Sequence, residues 1–307
     1  MDKINGLKLV GEFKQDLIER GLSPDTLKSY PGPVVSLCKF NQGDLLGVDQ
    51  GVLSKYLSNL RSIGLKRISL DKQFTILSTF YKFLMFKGYI AVNPVPAVRE
   101  HYLREAKGHD TSQRRQFISV NQAAALVKSI HDTRDKAIVI LLFKTGIRRK
   151  ELAELDLKDV DMETMTINLK PTAKRTNEIV YFDSEAQYIL SKWLKRRAII
   201  NSKGLKALFI DRYGNRLSVG AVNLLFEKYA EAIGLHDPDS DRLQDKLTPH
   251  CCRHWFSTVL VEAGMPRHYV QELRGDVGRE AIDIYTHIDK NKLRAAYLEH
   301  IPKLGVV

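Results

Sequence analysis

The chain has 307 residues, of which 44% are hydrophobic and 27% are charged, a balance typical of a globular protein with room for two ordinary domains. Lysine and arginine outnumber aspartate and glutamate by 48 to 36, which gives a formal net charge of +12. The excess is shared between residues 1–110 and the remainder rather than concentrated in a tail. This distribution favours a nucleic-acid partner, although a generally basic, solvated surface would give the same balance.

The cysteine count and the hydropathy pattern exclude several other classes of protein. Only Cys38, Cys251 and Cys252 occur, and two of them are adjacent, so the sequence does not encode a disulfide framework. No apolar run reaches transmembrane length, and no charged segment leads into a signal-peptide core. We therefore expect a cytoplasmic protein in a reducing compartment, without a membrane partner.

Four amphipathic helices are predicted in the N-terminal third, where apolar residues recur at helical spacing. They cover residues 5–20, 23–38, 50–61 and 69–87. Pro31 and Pro33 should split the second helix after Tyr30, because proline removes a helical hydrogen bond and restricts the residue before it. The four helices make a small bundle.

Aromatic residues are concentrated in the fourth of these helices. They are Phe74, Phe80, Tyr81, Phe83 and Phe86. A base-stacking platform is conceivable, but helical spacing of this kind is typical of a hydrophobic core, and we assign the cluster to packing.

A basic segment separates this bundle from the rest of the chain. Asn93-Pro94-Val95-Pro96 ends the helical pattern, and residues 96–117 contain few apolar side chains but several arginines and lysines. The segment is predicted to be an exposed linker, either plainly solvated or lying along phosphates.

The C-terminal part is predicted to be mainly helical with a small β-hairpin. Residues 135–144 are too apolar for a surface helix and indicate a buried central helix that stops at Thr145-Gly146. Alternation at 165–169 and 179–181 indicates two short strands around a basic hairpin. Further helices are expected at residues 123–130, 184–199, 218–233 and 292–300.

The stretch from Leu247 to His287 concentrates the residues with chemical potential. A helix is predicted to begin with Thr248 as N-cap and Pro249 in its first turn, which places His250 and Arg253, three residues apart, near one face. The chain turns at Gly264 and restarts as helix after Pro266, and a further short helix should lead to Ile282, Ile284 and Tyr285. Two cationic side chains and one phenol near each other predict a phosphate site with a nucleophile.

An ordered set of motifs in this stretch resembles the tyrosine recombinase (integrase) family. The motifs are Thr-Pro-His-x-x-Arg-His, a Leu-x-Gly-x turn, and Ile-Tyr-Thr-His nine residues beyond that turn. The resemblance covers nearly the whole chain and is strongest from Thr145 to His287. It extends to Xer-like recombinases and, less closely, to integrases of archaeal mobile elements. It implies a mainly α fold with a four-helix, SAM-like core-binding domain at 1–95, a basic linker at 96–117 and a mixed α catalytic domain with a small β-hairpin at 118–307.

The resemblance also implies a role for each site residue. Arg148 and Arg253 match the two arginines that clamp the phosphate, and guanidinium forks suit its non-bridging oxygens. His250 matches the histidine that handles protons beside them, and Glu151 matches a supporting acidic residue. Tyr285 matches the nucleophile, which would give a 3′-phosphotyrosine and a free 5′-hydroxyl without metal or cofactor.

The sequence departs from the family pattern in the hairpin, where Pro171 and Ala173 replace the usual Gly-rich turn, and at Asp276. Lys170, Lys174 and Arg175 compete for the role of mobile general acid; alignment backward from the second strand favours Lys174, with Lys170 as the fallback. Asp276 stands where the family usually has His or Trp. We expect its carboxylate either to turn away from the phosphate and pair with a cation, or to cap the following helix.

The implied activity is site-specific breakage and rejoining of double-stranded DNA by a homo-tetramer or dimer of dimers, for integration and excision or for dimer resolution. A type IB topoisomerase is a second possibility, since it uses the same chemistry without synapsis. A DNA-binding protein that has lost catalysis is a third, supported only by Asp276. A zinc site at His250 and His254, four residues apart, is disfavoured because Arg253 would add positive charge beside the ion.

Overall fold

The structure is a computed structural model that describes residues 6–104, 116–172, 175–200, 204–275 and 288–306. Contacts divide the chain into two compact units, Met1–Thr111 and Ser112–Val307. Each unit has its own hydrophobic core. Throughout, the second is called the C-terminal unit.

The first unit is entirely helical in its described part. Its helices are α1 (Gly6–Glu19), α2 (Pro24–Ser29), α3 (Pro31–Phe40), α4 (Gln50–Ser62), α5 (Arg67–Phe86) and α6 (Val95–Tyr102). The predicted break after Tyr30 is confirmed, because α2 ends at Ser29 and α3 begins at Pro31. The second of the four predicted helices is therefore two helices, and α6 adds another.

Packing explains most of the aromatic cluster on α5. Phe74, Phe80 and Tyr81 are fully buried, and the ring of Phe80 meets that of Phe13 edge to face, with centroids 5.3 Å apart. Phe86 is the exception: it is 81% exposed, so its assignment to the core was wrong. It is the last residue of α5 and does not belong to the buried stripe of that helix.

The helix α6 occupies the first part of the segment expected to be a linker. Val95 and Val98 are buried, and the Arg67 guanidinium donates to the carbonyl of Leu103 at 2.9 Å. A few apolar side chains at helical spacing are thus enough to attach this segment to the first unit. Residues 105–115 lie outside the described residues.

The C-terminal unit combines helices with a small antiparallel sheet. Its helices are α7 (Val120–Ser129), α8 (Thr133–Thr145), α9 (Arg149–Glu154), α10 (Ser184–Ile200), α11 (Val219–Ala232), α12 (Pro249–Glu262), α13 (Arg267–Arg274) and α14 (Lys290–His300). The strands β1 (Val160–Asp161), β2 (Thr166–Asn168) and β3 (Ile179–Tyr181) pair in sequence order, with Ile167 opposite Val180. The two predicted strands are present, and β1 is an addition because two residues are too few to give a periodic pattern.

Helix α8 is the central helix of this unit, as its composition predicted. Every residue from Ala137 to Thr145 is buried, and α8 packs against α10 and α12. The burial includes Lys144, whose ammonium lies 2.8 Å from Asp183 Oδ2 and 2.7 Å from Glu185 Oε2. A lysine buried in this way needs such partners, because a lone buried charge is strongly disfavoured.

The segment after α14 completes this buried ion cluster. The Lys144 ammonium donates to the carbonyl of Pro302 at 2.7 Å, and Glu185 accepts from the backbone amides of Leu304 at 2.8 Å and Val306 at 3.2 Å. The residues that follow α14 are therefore fastened to α8 and α10 by charge-assisted hydrogen bonds.

All three cysteines, Cys38, Cys251 and Cys252, are buried free thiols. None of the helices in the described ranges has the length and apolar character needed to cross a bilayer.

The interactions of the Glu185 carboxyl predict that the C-terminal unit loses stability in acid. Burial alone would raise its pKa, but the bonds from Lys144 and from the amides of Leu304 and Val306 outweigh burial, so the pKa is lowered. In the unfolded chain the pKa of this carboxyl is about 4.3. Because the pKa is lower in the folded state, the ionised carboxylate stabilises the fold at neutral pH. This contribution is lost as pH falls through the folded pKa. Glu185→Gln should lower the free energy of unfolding by about 2 kcal/mol at pH 7 and by less at pH values near the folded pKa.

The measurement is urea denaturation of wild type and variant across that pH range, with the exposed Glu163→Gln as the matched control. The control should unfold like wild type at each pH. If Glu185→Gln lowered the free energy of unfolding by the same amount at every pH, the proposed link between the Glu185 pKa and stability would be contradicted.

Candidate active site

The site begins where α8 ends, at Gly146. This residue has φ of +61°, a left-handed conformation that glycine adopts without strain. A Cβ atom here would lie 2.5 Å from Cδ1 of Phe256 on α12. Glycine therefore lets the chain turn from α8 into Arg148 while α8 stays in direct contact with α12.

Arg148 is held at the start of α9 by Glu151. The carboxylate accepts from the Arg148 backbone amide at 2.7 Å and from its Nη1 at 2.9 Å. The Glu151 side chain is 7% exposed, and that of Arg148 is 30% exposed. One carboxylate thus fixes both the backbone and the guanidinium of Arg148, and the supporting role of Glu151 stays a prediction.

Arg253 connects α12 to two other parts of the unit. Its side chain is buried, with Nη1 donating to the carbonyl of Gly146 at 2.8 Å and Nη2 donating to the carbonyl of Arg274 at 2.7 Å. The first contact lies two residues before Arg148. The structure thus brings Arg253 to the α8–α9 turn that leads into Arg148.

His250 lies in the first turn of α12, as predicted, but in a different environment from Arg253. Its ring is exposed, and its Nε2 lies 3.2 Å from Nε2 of His254. Thr248 occupies the N-cap position, yet its side chain makes no capping bond to the helix backbone. Among the described residues no group of three or more His, Cys, Asp or Glu side chains is arranged to hold a metal.

Two of the three candidates for the general acid have fixed partners. The Lys170 ammonium lies 2.7 Å from the carbonyl of Glu154 and 3.0 Å from Asp156 Oδ2. Arg175 is buried and donates to Glu151, so it is not a mobile acid on a hairpin. Lys174 lies outside the described residues.

The partner of Lys170 is a carboxylate that stays ionised. A hydrogen bond from Arg216 lowers the pKa of Asp156 most; burial opposes the shift, and Lys170 lowers the pKa further. Because Arg216 and Lys170 share this carboxylate, Lys170 belongs to an ion-pair group at the edge of the sheet.

Asp276, Tyr285 and His287 lie in residues 276–287, outside the described residues, as does the short helix predicted before Tyr285. Up to that point the prediction holds: α13 ends at Arg274, and Gly275 follows with φ of +60°. Gly275 lies in the Leu-x-Gly-x turn identified in the sequence.

Two described tyrosines of the C-terminal unit are poorly suited to act as nucleophiles. Burial raises the pKa of Tyr297, whose hydroxyl donates to the carbonyl of Lys144. Burial, together with Asp135, raises the pKa of Tyr229 to about 12. Raising a phenol's pKa disfavours the phenolate, so neither residue competes well for the role predicted for Tyr285.

The sequence matches the models of a known enzyme family over most of its length. Residues 116–292 match the model of the phage integrase family, and residues 10–88 match that of the phage integrase N-terminal SAM-like domain. The chain therefore belongs to the phage integrase family of tyrosine recombinases and carries out site-specific recombination by their chemistry.

Individual relatives agree with this assignment over almost the full length. The tyrosine recombinase XerC of Haemophilus ducreyi is 30% identical over 308 residues, covering 97% of this chain and 95% of the relative. XerC of Thermodesulfovibrio yellowstonii is 28% identical over 290 residues, covering 91% of each.

Solved structures share the fold at lower identity. A lambda integrase(75-356) dimer bound to a COC′ core site has a TM-score of 0.69 at 18% identity, covering 93% of this chain and 99% of that one. The Tn1549 transposon integrase in complex with transposon right end DNA has a TM-score of 0.70 at 18% identity, covering 95% and 98%. The expected fold class, mainly helical with a small sheet, is confirmed.

The contact between Gly146 and Phe256 predicts a large effect of a single methyl group. Gly146→Ala should lower the free energy of unfolding by about 2–4 kcal/mol, because the residue keeps a positive φ and its Cβ must displace the Phe256 ring. Chemical denaturation measures the change. Gly234→Ala is the matched control: Gly234 also has positive φ, of +72°, but a Cβ there meets nothing within 4 Å, so the cost should be only about 1 kcal/mol. Equal losses in the two variants would show that backbone strain alone matters.

Proposed function

We propose that this chain cuts and rejoins double-stranded DNA at a specific site through a 3′-phosphotyrosine intermediate formed by Tyr285. The observation that carries the proposal is the network in which Glu151 holds Arg148 while Arg253 donates to the Gly146 carbonyl. Two guanidiniums are thereby fixed around one turn of the chain. Fixed cations of this kind stabilise the charge that develops on a phosphoryl group in transfer.

The proposed reaction exchanges one ester bond for another. The Tyr285 phenol loses its proton, its oxygen attacks the phosphorus, and the bond from phosphorus to the 5′ oxygen breaks. Arg148 and Arg253 bind the non-bridging oxygens, and His250, exposed at the start of α12, receives the phenol proton. Because the phosphotyrosine keeps the ester bond, rejoining needs no external energy source. No metal or cofactor is assigned to these steps.

The leaving 5′ oxygen needs a proton, and we assign its donation to Lys174. The support is indirect: Arg175 is buried, and Lys170 is engaged by Glu154 and Asp156. A lysine next to other cations has a lowered pKa, which suits it to this role.

Asp276 is assigned a supporting role. A carboxylate cannot donate a hydrogen bond to the phosphate and would repel it, so we propose that it pairs with a neighbouring cation and orients it. Asp276 follows Arg274, whose carbonyl accepts from Arg253, and Gly275 directly in the chain.

The assembly is proposed to be a tetramer, or dimer of dimers, of this chain on duplex DNA in the cytoplasm. Residues 1–95 would bind the core site, residues 96–117 would connect the domains, and residues 118–307 would carry catalysis. The formal charge of +12 supports a DNA partner. The similar lambda integrase is a dimer on a COC′ core site, and the similar Tn1549 integrase is bound to transposon right end DNA.

A relaxation assay distinguishes recombination from topoisomerase activity. Supercoiled plasmids carrying two copies of the target site should yield recombinant products. Relaxed plasmid without recombinant products would favour a topoisomerase, and binding without any covalent product would favour a protein that has lost catalysis.

Tyr285→Phe should retain DNA binding but form no covalent protein–DNA adduct, because the substitution removes only the nucleophilic oxygen. Incubation with nicked duplex followed by denaturing gel electrophoresis measures the adduct. Tyr269→Phe serves as a control, since it is a tyrosine on α13 without an assigned role, and it should form adduct at the wild-type level. Adduct at that level from Tyr285→Phe would refute the nucleophile assignment.

Lys174→Ala should slow cleavage of an ordinary phosphodiester by roughly 10²- to 10⁴-fold, the range typical of a lost general acid. A 5′-bridging phosphorothiolate should largely restore the rate, since a thiolate leaves without needing a proton. Single-turnover cleavage of both substrates measures this, with Lys170→Ala in parallel. If Lys170→Ala shows the rescue and Lys174→Ala does not, the acid is Lys170.

A further inference from the structure

One buried cation near the site has no part in the reaction as described so far. The Arg175 side chain is 1% exposed, although it follows Lys174 directly in the hairpin between β2 and β3, where it pairs with Thr172. Its Nε donates to the carbonyl of Asn177 at 2.5 Å, and its Nη2 donates to the carbonyl of Leu273 at 3.0 Å. Its Nη1 lies 3.2 Å from Glu151 Oε2. One guanidinium thus joins the hairpin, the end of α13 and the carboxylate that holds Arg148.

The end of α13 receives three donors on three consecutive carbonyls. Leu273 accepts from Arg175, Arg274 accepts from Arg253 at 2.7 Å, and Gly275 accepts from the backbone amide of Thr176 at 3.0 Å. The last carbonyls of a helix lack partners within the helix and carry its partial negative charge. Two of the three donors, Arg175 and Thr176, belong to the hairpin, so the hairpin is attached to α13 at this point.

The fit at this junction is close. Gly275 has φ of +60°, and a Cβ atom on it would lie 2.9 Å from Cγ of Arg175 and 3.2 Å from the backbone nitrogen of Asn177. Residues 175–177 of the hairpin and the turn after α13 are therefore in direct contact, which leaves little freedom for the backbone on either side.

The Glu151 carboxylate is shared between two cations. Arg148 donates to Oε1 at 2.9 Å, and Arg175 lies 3.4 Å from the same oxygen and 3.2 Å from Oε2. The planar fork of an arginine is required for this pattern, because its three nitrogens point in fixed, different directions toward Asn177, Glu151 and Leu273. A lysine ammonium in the same place would retain the charge but could not hold all three partners in this geometry.

We propose that Arg175 is a positioning residue for the general acid. It would fix residues 175–177 of the hairpin on α13 and on Glu151, so that Lys174, one residue earlier in the chain, is presented to the leaving 5′ oxygen. This role rests on the proposed function, in which Lys174 donates that proton. Arg175 itself does not touch the DNA in this arrangement, since it is buried.

The test is Arg175→Lys, which preserves the charge and removes the fork. Cleavage of an ordinary nicked duplex should slow by roughly ten- to a hundredfold, part of the effect of losing a general acid. A 5′-bridging phosphorothiolate should bring the rate back to within about threefold of wild type, because the displaced acid is then not needed. A purely structural role would slow both substrates alike.

Arg197→Lys is the matched control. Arg197 is also buried and caps carbonyls, with Nε donating to Ala207 at 2.9 Å and Nη2 donating to Leu205 at 2.5 Å, but it contacts none of the site residues described above. Both variants should lose thermal stability, whereas only Arg175→Lys should show the dependence on the leaving group. If Arg175→Lys does not fold, Arg175→Gln, which keeps one donor, is measured in the same way.

Three results would overturn the role of Arg175: wild-type cleavage by the variant, equal slowing on both substrates, or the same leaving-group dependence in Arg197→Lys. Failure of the proposed function gives a different result. In that case wild type itself forms no adduct, or Lys174→Ala cleaves both substrates at the wild-type rate, and the role of Arg175 falls with it.

Discussion

Arginines that donate to backbone carbonyls determine how the C-terminal unit is put together. Arg253 reaches the carbonyl at the end of α8 and that at the end of α13, and Arg175 reaches α13 from the hairpin. Each bond neutralises a carbonyl that the helix leaves without a partner, and a charged donor makes it stronger than a neutral one. The same guanidiniums therefore satisfy the ends of helices and set the distances between chain segments. The contacts that hold the unit together are therefore also the contacts that position the proposed site residues.

Because the same arginine contacts join the helices and position side chains, the proposed site residues lie on rigid elements of the unit. Glu151 holds Arg148 immediately before the first residue of α9, and Gly146 keeps the preceding turn against Phe256. In phosphoryl transfer much of the protein's contribution is to hold charges and reacting groups in place. A cation that is already hydrogen-bonded within the unit needs little reorganisation when the substrate arrives. Arg253 is buried, whereas His250 in the first turn of the same helix is exposed, so the two proposed site residues differ in their access to solvent.

Local patterns in the sequence predicted much of this and missed the rest for a physical reason. The apolar run of α8, the stops at Gly146 and Gly275, and the break at Pro31 are encoded within a few residues, so periodicity and turn chemistry were sufficient. The partners of Lys144 lie 39, 41 and 158 residues away, and Leu273 lies 98 residues from Arg175. No local pattern contains such pairings. Arg175 appeared in the sequence as a candidate acid, and only its burial shows that it holds other groups. Lys144 did carry a signal, since a lysine in an otherwise apolar helix requires a buried partner.

The attachment of residues 302–306 to Lys144 and Glu185 bears on how the protein is made. A ribosome synthesises Lys144 long before Pro302, and Leu304 and Val306 emerge later still. Until then the ammonium on α8 lacks one acceptor and the Glu185 carboxylate lacks two donors, so the buried charges are only partly compensated. The C-terminal unit therefore reaches its full stability only after residues 302–306 leave the ribosome. A nascent chain that stalls earlier would contain Lys144 and Glu185 without the hydrogen bonds from residues 302–306, and would be more accessible to proteases.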